Sequence, residues 1–282
     1  MSLDVYNDSG YIFNRNVKSS VRLNYQHYLI TQLTDNDVLH KSTKELIDVS
    51  APHRVADVGT GTAIWPLSLA RALPHWQVDG FDISGDQYPF AGWIPDNVNL
   101  YEHDTFQPYP EEYHGKYDII NIRFMMTLLS KEKYHILLQN VKALLKPGGI
   151  LQWLDPIPFN VKAVAPEGMD TPFTSTSAAM WTKTPPDSTE WITLNGDMVK
   201  GDGYEPVAWE ELHFDDFHRP IWNHCTLMSL AEIIENLAQS TDEAVVAKRE
   251  ALRTQLRGWE AECEQGASLD TPWFFIVARK PL

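Results

Sequence analysis

A glycine-rich run preceded by an acid is the segment best suited to bind a small polar ligand. Residues 55–63 read VADVGTGTA, so Asp57 stands two positions before Gly59, and Gly61 follows two positions later. Glycines let the backbone approach a ligand closely, and a helix that begins after them presents free N–H groups and the positive end of its dipole. Dinucleotide enzymes share this logic, but Ile64 stands where their third glycine is expected. The run therefore predicts a cofactor site and speaks against NAD or FAD.

Two more acids follow where parallel strands are predicted to end. Asp82 closes the segment VDGFDIS, about 20 residues after the glycines, and Asp104 follows the next apolar segment in EHDTF. A carboxylate at the end of the second strand can accept hydrogen bonds from both hydroxyls of a ribose. We therefore expect Asp82 to bind the sugar of a nucleoside-containing ligand.

The run at 55–63 resembles the Asp/Glu-x-Gly-x-Gly-x-Gly motif of class I S-adenosylmethionine (SAM) dependent methyltransferases, with Ala63 in place of the last glycine. The segment LLKPGG, before the predicted fifth strand, is also similar to this family. The resemblance implies that Asp104 accepts from the adenine amino group while the N–H of Thr105 meets the ring. It implies SAM as cofactor and S-adenosylhomocysteine (SAH) as its product, with the cofactor held by Asp57, Gly59, Thr60, Gly61, Asp82, Ile83, Asp104, Thr105, Asn121 and Tyr11.

A narrower resemblance covers most of the chain outside roughly residues 156–205. The segments YIFNRN, SSVRLNYQHYL, VADVGTGTAIW, FDISGDQYP, LKPGGILQW and WNHCTLMSLAEII look like those of fungal secondary-metabolism methyltransferases of the LaeA and UMTA type. This resemblance implies either a SAM-dependent enzyme that acts on a small metabolite or a regulatory protein of the same fold.

A predicted amino-terminal helix, VRLNYQHYLI, offers candidates for catalysis. Its polar stripe carries His27, which we expect to act as general base, and Asn24, which we expect to position the acceptor. A lone helical histidine can equally be structural. Beside this stripe runs an apolar one formed by Val17, Val21, Tyr25 and Tyr28.

Three further residues are predicted to face the substrate. Arg123 follows the predicted fourth strand and can orient a carboxylate with both arms of its guanidinium, although a surface ion pair is the alternative. Arg15 lies, with Tyr11, in a segment expected to close over the cofactor. Trp153 is one of several tryptophans near a predicted lid, where an apolar ligand or core packing would explain each of them.

No metal is expected in the site. Asp155 ends the predicted fifth strand and Asp215 and Asp216 follow the sixth, but a metal-dependent enzyme of this type also needs a carboxylate from strand four, where the chain has Asn121. The two cysteines, Cys225 and Cys263, are far apart and predict neither a disulfide nor structural zinc, which fits a reducing cytoplasm.

The elements that must position these residues alternate between strand-like and helical patterns as far as residue 155. Such alternation predicts an α/β fold with a doubly wound, Rossmann-like parallel sheet, and the family resemblance implies seven mostly parallel strands. Between residues 155 and 186 the chain has six of its 18 prolines, which predicts an insertion after strand five. The expected segments are a helical lid (1–50), a SAM-binding half (51–155), a substrate lid (156–205) and a carboxyl-terminal half (206–282).

The charge balance limits the partners. The chain has 38 acidic and 23 basic side chains and a formal net charge of −15, so it would on average repel nucleic acid. No secretory signal and no apolar run of the roughly 20 residues needed to span a membrane is visible. A small-molecule substrate and a monomer or homodimer are expected.

Together these features predict a methyltransferase that transfers a methyl group from SAM to an O or N atom of a small, largely hydrophobic secondary metabolite. Two alternatives stay open. One keeps the fold and cofactor but uses the bound sulfonium as an electrostatic element in a cyclisation. The other is a LaeA-like regulator that acts through protein partners.

Overall fold

A seven-stranded sheet forms the centre of the computed structural model, which describes residues 13–181 and 195–282. The described strands are β1 Arg54–Val58, β2 Gln77–Asp82, β3 Val98–Glu102, β4 Tyr117–Arg123, β5 Leu145–Pro156, β6 Lys162–Val164, β7 Glu205–Leu212, β8 Ser268–Asp270 and β9 Trp273–Arg279. The sheet has the order β3-β2-β1-β4-β5-β9-β7, with β9 antiparallel to both of its neighbours and the other pairs parallel. This confirms the predicted Rossmann-like, mostly parallel sheet.

Helices cover both faces of this sheet. The described helices are α1 Val17–Ile30, α2 Lys41–Glu45, α3 Ile64–Ala72, α4 Lys131–Leu144, α5 Pro172–Trp181, α6 Asn195–Gly201, α7 His218–Asn236 and α8 Glu243–Cys263. None of the helices in the described ranges is long and apolar enough to cross a membrane.

The central strands are buried on both faces, which is why they read as nearly continuous apolar runs. Val55 and Val58 of β1 and Ile119 and Ile122 of β4 are fully buried. The chain runs from β1 to β2 and β3 on one side of β1, and then crosses to β4 on the other side. This reversal of direction opens a crevice at the carboxyl ends of β1 and β4. The fold therefore brings the glycine-rich run and the ends of β2 and β4 to one edge.

The burial of α1 is the reverse of what its amphipathic pattern suggests. The apolar stripe faces solvent, since Val17 is 80% exposed and Val21 59% exposed. The polar residues Ser19, Arg22 and His27 are buried instead. Of these, Ser19 and Arg22 hydrogen-bond to Glu232 of α7, whereas His27 faces the crevice.

The segment after β5 is built from short elements. Strand β6 pairs with β8 outside the main sheet, and α5 packs against α8, where Gly258 leaves room for the ring of Phe173. The predicted lid, 156–205, contains β6, α5 and α6, while Trp191 of the same segment lies outside the described residues. Its role as a lid, like the other segment boundaries, stays a prediction.

Candidate functional site

The carboxyl ends of β1, β2 and β4 surround a cleft of about 380 Å³, which we call the glycine-loop cleft. Its walls are the turn after β1, the loops after β2, β3 and β4, and part of α1. The predicted site residues that line it are Arg15, His27, Asp57, Gly59, Thr60, Gly61, Asp82, Ile83, Asp104, Thr105 and Arg123. Most of the predicted cofactor residues thus lie around one cleft.

The turn after β1 requires left-handed backbone at three positions. Gly59 has φ +71° and Gly61 φ +55°, and a Cβ on Gly59 would lie 3.0 Å from Sδ of Met125. Ala63 also adopts φ +57°, immediately before α3. Ala63 is the residue that replaces the last glycine of the motif, so the backbone keeps the glycine conformation at a cost of about 1 kcal/mol.

Asp57 supports this turn from below. Its Oδ2 accepts from the Thr60 hydroxyl at 2.6 Å, and its Oδ1 accepts from Nδ2 of Asn121 at 2.6 Å. The Asn121 amide oxygen in turn accepts from Gln152 at 2.8 Å. Asn121 is 1% exposed and does not line the glycine-loop cleft, so its predicted contact with a cofactor is wrong. Its role is to hold Asp57 and tie β4 to β1.

Asp82 joins the end of β2 to the glycine turn. Its Oδ2 accepts from the N–H of Gly61 at 2.8 Å, and its Oδ1 accepts from the N–H of Ser84 at 3.3 Å. Burial raises the pKa of Asp82, and these two hydrogen bonds oppose the rise. The N–H of Ile83 also contacts this carboxylate, which lines the cleft.

The loop after β3 supplies the opposite end of the cleft. Asp104 accepts from the N–H of Phe106 at 3.0 Å, and the hydroxyl of Thr105 accepts from Tyr109 at 3.1 Å. Ile83 is 51% exposed beside this loop and offers an apolar surface. An acid beside a flat apolar surface suits a planar ring that carries an amino group.

His27 is held by two partners. Its Nδ1 lies 3.1 Å from Nη1 of Arg123, which can only donate, so Nδ1 is the acceptor and Nε2 carries the hydrogen, 3.0 Å from the hydroxyl of Ser68. Burial, together with the charge of Arg123, lowers the pKa of His27 to about 3. Both ring nitrogens of His27 have partners, and the predicted role of His27 as general base stays a prediction.

Arg123 lies at the end of β4 between two buried acids. Burial lowers its pKa to about 10, while the charges of Asp57 and Asp155 oppose that change. The guanidinium lines the glycine-loop cleft and does not line the apolar cavity described below. Arg123 thus faces the glycine-loop cleft, and its predicted contact with the substrate stays a prediction.

The remaining predictions on the amino-terminal segment have mixed outcomes. Asn24 accepts from the Thr62 hydroxyl at 2.6 Å and so fastens α1 to the glycine turn, in place of the predicted acceptor contact. Arg15 lines the glycine-loop cleft and lies near Asp82. Tyr11 lies outside the described residues.

A second cavity, of about 130 Å³, lies on the other side of Leu23 and Phe124. We call it the apolar cavity, because most of its lining comes from apolar side chains of α5, α7, α8 and α1. Leu23 and Phe124 line both spaces. Phe124 has φ +57°, an unfavourable conformation for a bulky residue, and it stacks on Trp222. A ligand in each space would meet at this shared wall.

Asp155, at the end of β5, is the carboxylate of the apolar cavity. Its Oδ2 accepts from the N–H of Met125 at 2.8 Å and from Nε1 of Trp153 at 2.7 Å, whereas Oδ1 has one long contact, 3.4 Å, with the N–H of Met126. Burial raises the pKa of Asp155 to about 7 against these hydrogen bonds. At the end of a predicted strand, Asp155 was a candidate only for a metal ligand. The described residues contain no group of acids, histidines and cysteines that could hold a metal.

Trp153 does not face a ligand. Its side chain is fully buried, stacked on Tyr134 with ring centroids 5.3 Å apart. The predicted substrate contact is wrong because Trp153 points into the sheet-helix core, from where its indole N–H fixes Asp155.

Comparisons with known proteins agree with this geometry. The family described as "Methyltransferase domain" matches residues 25–158. "Methyltransferase grgD" of Penicillium sp is 34% identical over 155 residues, which is 52% of each chain. "N-methyltransferase tcpN" of Claviceps purpurea is 30% identical over 145 residues, 50% of this chain and 49% of the relative. The chain therefore matches about half the length of these relatives.

Solved structures share the fold at low sequence identity. The [4+2]-cyclase SpnF has a TM-score of 0.52 and 19% identity, covering 89% of this chain and 80% of its own. A phosphoethanolamine N-methyltransferase 2 of Haemonchus contortus, solved with SAM, has a TM-score of 0.52 and 16% identity, covering 95% of this chain and 58% of its own. By its sheet, its glycine run and its match over residues 25–158, the chain is similar to the class I SAM-dependent methyltransferases.

Proposed function

We propose that this protein binds SAM in the glycine-loop cleft and transfers its methyl group to a small, largely hydrophobic molecule in the apolar cavity. The observation that carries the proposal is the wall that the two spaces share, formed by Leu23 and Phe124. In-line methyl transfer needs the donor and acceptor atoms aligned in a site that excludes water. Because Leu23 and Phe124 line both spaces, ligands bound in the two spaces would be neighbours at an apolar border.

The residues around the glycine-loop cleft fit the parts of SAM. Asp82 would bind the ribose, and Ile83 and Asp104 would contact the adenine. The close approach of backbone at Gly59, where a Cβ would have no room, suits the amino-acid portion, and Arg15 and Arg123 offer positive charge for its carboxylate. The acids that line the cleft also suit a cofactor that is cationic at sulfur.

SAM supplies an electrophilic methyl group on a sulfonium. The acceptor's lone pair would form the new bond to the methyl carbon as the carbon–sulfur bond breaks, with its electron pair going to sulfur. We assign the acceptor's proton to Oδ1 of Asp155, the carboxylate oxygen with the fewest partners. A pKa of about 7 for Asp155 suits a base that works near neutral pH.

The acceptor atom is an N or O that loses a proton. The relative tcpN is called an N-methyltransferase, so N–H acceptors are the first to be tested. We also propose a reducing cytoplasm for this protein, in which the two free cysteines, Cys225 and Cys263, would stay reduced. We further propose that the protein is a monomer or homodimer and does not bind nucleic acid.

Two measurements test the proposal. Calorimetry should detect SAM and SAH binding, and incubation with methyl-labelled SAM and an extract of apolar fungal metabolites should give a labelled product. A rearranged, unlabelled product would favour the cyclase alternative. No product together with a stable protein complex would favour the regulatory alternative, and absence of SAM binding would overturn both the cofactor and the function.

A further inference from the structure

Four residues that line the apolar cavity each carry a buried polar atom without a partner among the described residues. They are Arg22 (Nη2), Trp222 (Nε1), Trp259 (Nε1) and Thr271 (Oγ1), from α1, α7, α8 and the β8–β9 link. Each of these residues is at least nine-tenths buried. A buried donor without an acceptor is costly, so native structures rarely leave several around one space.

The other hydroxyls that line this cavity are satisfied, so the unpaired atoms are not a general property of its wall. The hydroxyls of Thr226 and Ser229 donate to backbone carbonyls of their own helix, both at 2.8 Å. The hydroxyl of Ser177 accepts from Gln255 at 2.9 Å. The unpaired set therefore consists of N–H groups and one hydroxyl that can donate, and it calls for acceptor atoms on the ligand.

Arg22 is fixed in orientation by its neighbours. Its Nε donates to Oε2 of Glu232 at 3.1 Å, and its Nη1 donates to Gln26 at 3.3 Å. The other oxygen of Glu232 accepts from the N–H of Asn14 at 2.7 Å and from the hydroxyl of Ser19 at 2.6 Å. With Nε and Nη1 engaged and the guanidinium held over the ring of Phe13, Nη2 is the nitrogen of Arg22 without a described hydrogen-bond partner.

The charges around the cavity favour a neutral ligand. The Arg22 charge is already balanced by Glu232, with side chains 4% and 6% exposed. The remaining ionisable group of the lining is Asp155, whose charge is negative when ionised. A carboxylate or phosphate brought into this apolar space would add a second buried negative charge without a free cation among the lining residues.

We propose that the apolar cavity recognises a neutral carbonyl oxygen, of an amide, lactam or ketone, on an otherwise apolar molecule. The carbonyl accepts from Arg22 and from the neighbouring indole or hydroxyl donors, while the rest of the molecule contacts the apolar wall. The inference rests on the proposed function in taking this ligand to be the methyl acceptor, but recognition of the carbonyl can be measured without methyl transfer.

Three small probes of similar size test this recognition: acetanilide, which carries a neutral amide carbonyl, N-ethylaniline, in which a methylene replaces the carbonyl, and phenylacetate, which carries a carboxylate. Titrations followed by the indole N–H signals of the protein, assigned with Trp222→Phe and Trp259→Phe, report on the cavity directly. We expect acetanilide to bind about tenfold more tightly than either other probe, the factor expected from one net hydrogen bond.

Substitutions of the unpaired atoms give a readout that a structural role would not. Thr271→Val and Trp259→Phe each remove a donor that has no described partner. Thr271→Val keeps nearly the same volume, so its melting temperature should stay the same or rise, whereas Trp259→Phe also removes part of a buried ring and should lower the melting temperature. The same variants should weaken acetanilide binding about three- to tenfold and leave N-ethylaniline binding unchanged. Ser177→Ala, at a satisfied hydroxyl of the same cavity, is the matched control and should leave the preference for acetanilide intact.

Equal binding of acetanilide and N-ethylaniline, or tighter binding of phenylacetate, would overturn the proposal. A lower melting temperature in Thr271→Val with an unchanged acetanilide preference would show that this hydroxyl serves the fold and would also overturn its assigned role. These outcomes are independent of SAM binding and of labelled product, so failure here is distinguishable from failure of the proposed function.

Discussion

The glycine-loop cleft and the apolar cavity lie on two sides of one wall but are built in different ways. The cleft is made by strand ends and the turn after β1, where backbone groups and short acids meet the ligand. The cavity is made by side chains of helices that come from distant parts of the chain, from Phe13 to Thr271. The geometry of the cleft, the proposed cofactor site, is therefore fixed by the sheet, whereas that of the cavity, the proposed acceptor site, depends on how the helices pack.

This difference extends to electrostatics. In the cleft, Asp57 and Asp82 are held by hydrogen bonds from the turn itself, such as that from Gly61 to Asp82. In the cavity, Asp155 accepts from the N–H groups of Met125 and Met126 and from the indole of Trp153, and it otherwise borders an apolar lining. The first arrangement suits binding, and the second suits a carboxylate that must gain and lose a proton.

The largest expected effect comes from Asp155→Asn. Turnover with the acceptor identified by the labelling assay should fall about 10²- to 10⁴-fold, because the amide cannot take a proton, while SAM affinity stays unchanged. In the unsubstituted protein, turnover should rise with pH through about 7, since only ionised Asp155 accepts the proton. Steady-state rates and calorimetry measure the two effects.

The matched control for this prediction is Asp202→Asn. Like Asp155, Asp202 is a largely buried carboxylate. It contacts His135 and lines neither the cleft nor the cavity. A similar loss of turnover in both variants, or an unchanged pH profile in Asp155→Asn, would contradict the assignment of Asp155.

The second largest effect concerns SAM binding in the glycine-loop cleft. Asp82→Asn should weaken SAM binding about 100-fold, because charged hydrogen bonds to the ribose are lost, while acetanilide binding in the apolar cavity stays the same. Calorimetric titration measures both, and Asp96→Asn, at an exposed position, is the control. Parallel losses of both affinities would mean that the two regions are not independent.

The cleft could be anticipated from the sequence because its residues are local and ordered. Asp57, Gly59 and Gly61 belong to one turn, and Asp82 and Asp104 follow strands that the apolar pattern already indicates. The parallel sheet follows from the same alternation, and the family resemblance implied its seven strands. Once the parallel strands form, their carboxyl ends bring these residues to the same edge of the sheet.

The cavity could not be anticipated because tertiary packing decides it. Nothing in the pattern around His27 indicates that Arg123, 96 positions away, would bind its ring and lower its pKa. Trp153 and Asp155 are two positions apart and so lie on the same face of β5, yet the tryptophan enters the core and the acid lines the cavity. A strand-end acid followed by Pro156 was the available signal for Asp155.

His27 provides a smaller effect that separates structure from catalysis. Its pKa of about 3 lies below the unfolded value, so the unfolded state binds the proton first and stability is lost as pH falls from about 6.5 towards 3. At pH 5 this loss is about 2 kcal/mol, and His27→Asn should abolish it while changing turnover only a few-fold. Urea unfolding at pH 7 and pH 5 measures the difference.

The exposed His75 serves as the control for that measurement, and His75→Asn should leave the loss at low pH unchanged. A drop in turnover for His27→Asn as large as that for Asp155→Asn would return His27 to the reaction and contradict the geometry of its two hydrogen bonds.

The smallest effect tests the reversed faces of α1, the helix that reaches both regions. Val21→Ser should change the free energy of unfolding by less than about 0.5 kcal/mol, because that side chain faces solvent, and it should leave SAM and acetanilide affinities unchanged. Leu29→Ala, on the buried side of the same helix, should cost about 2–3 kcal/mol. A loss of stability in Val21→Ser as large as that in Leu29→Ala would mean that the apolar stripe of α1 packs against protein. The polar face of α1 could then not line both the cleft and the cavity.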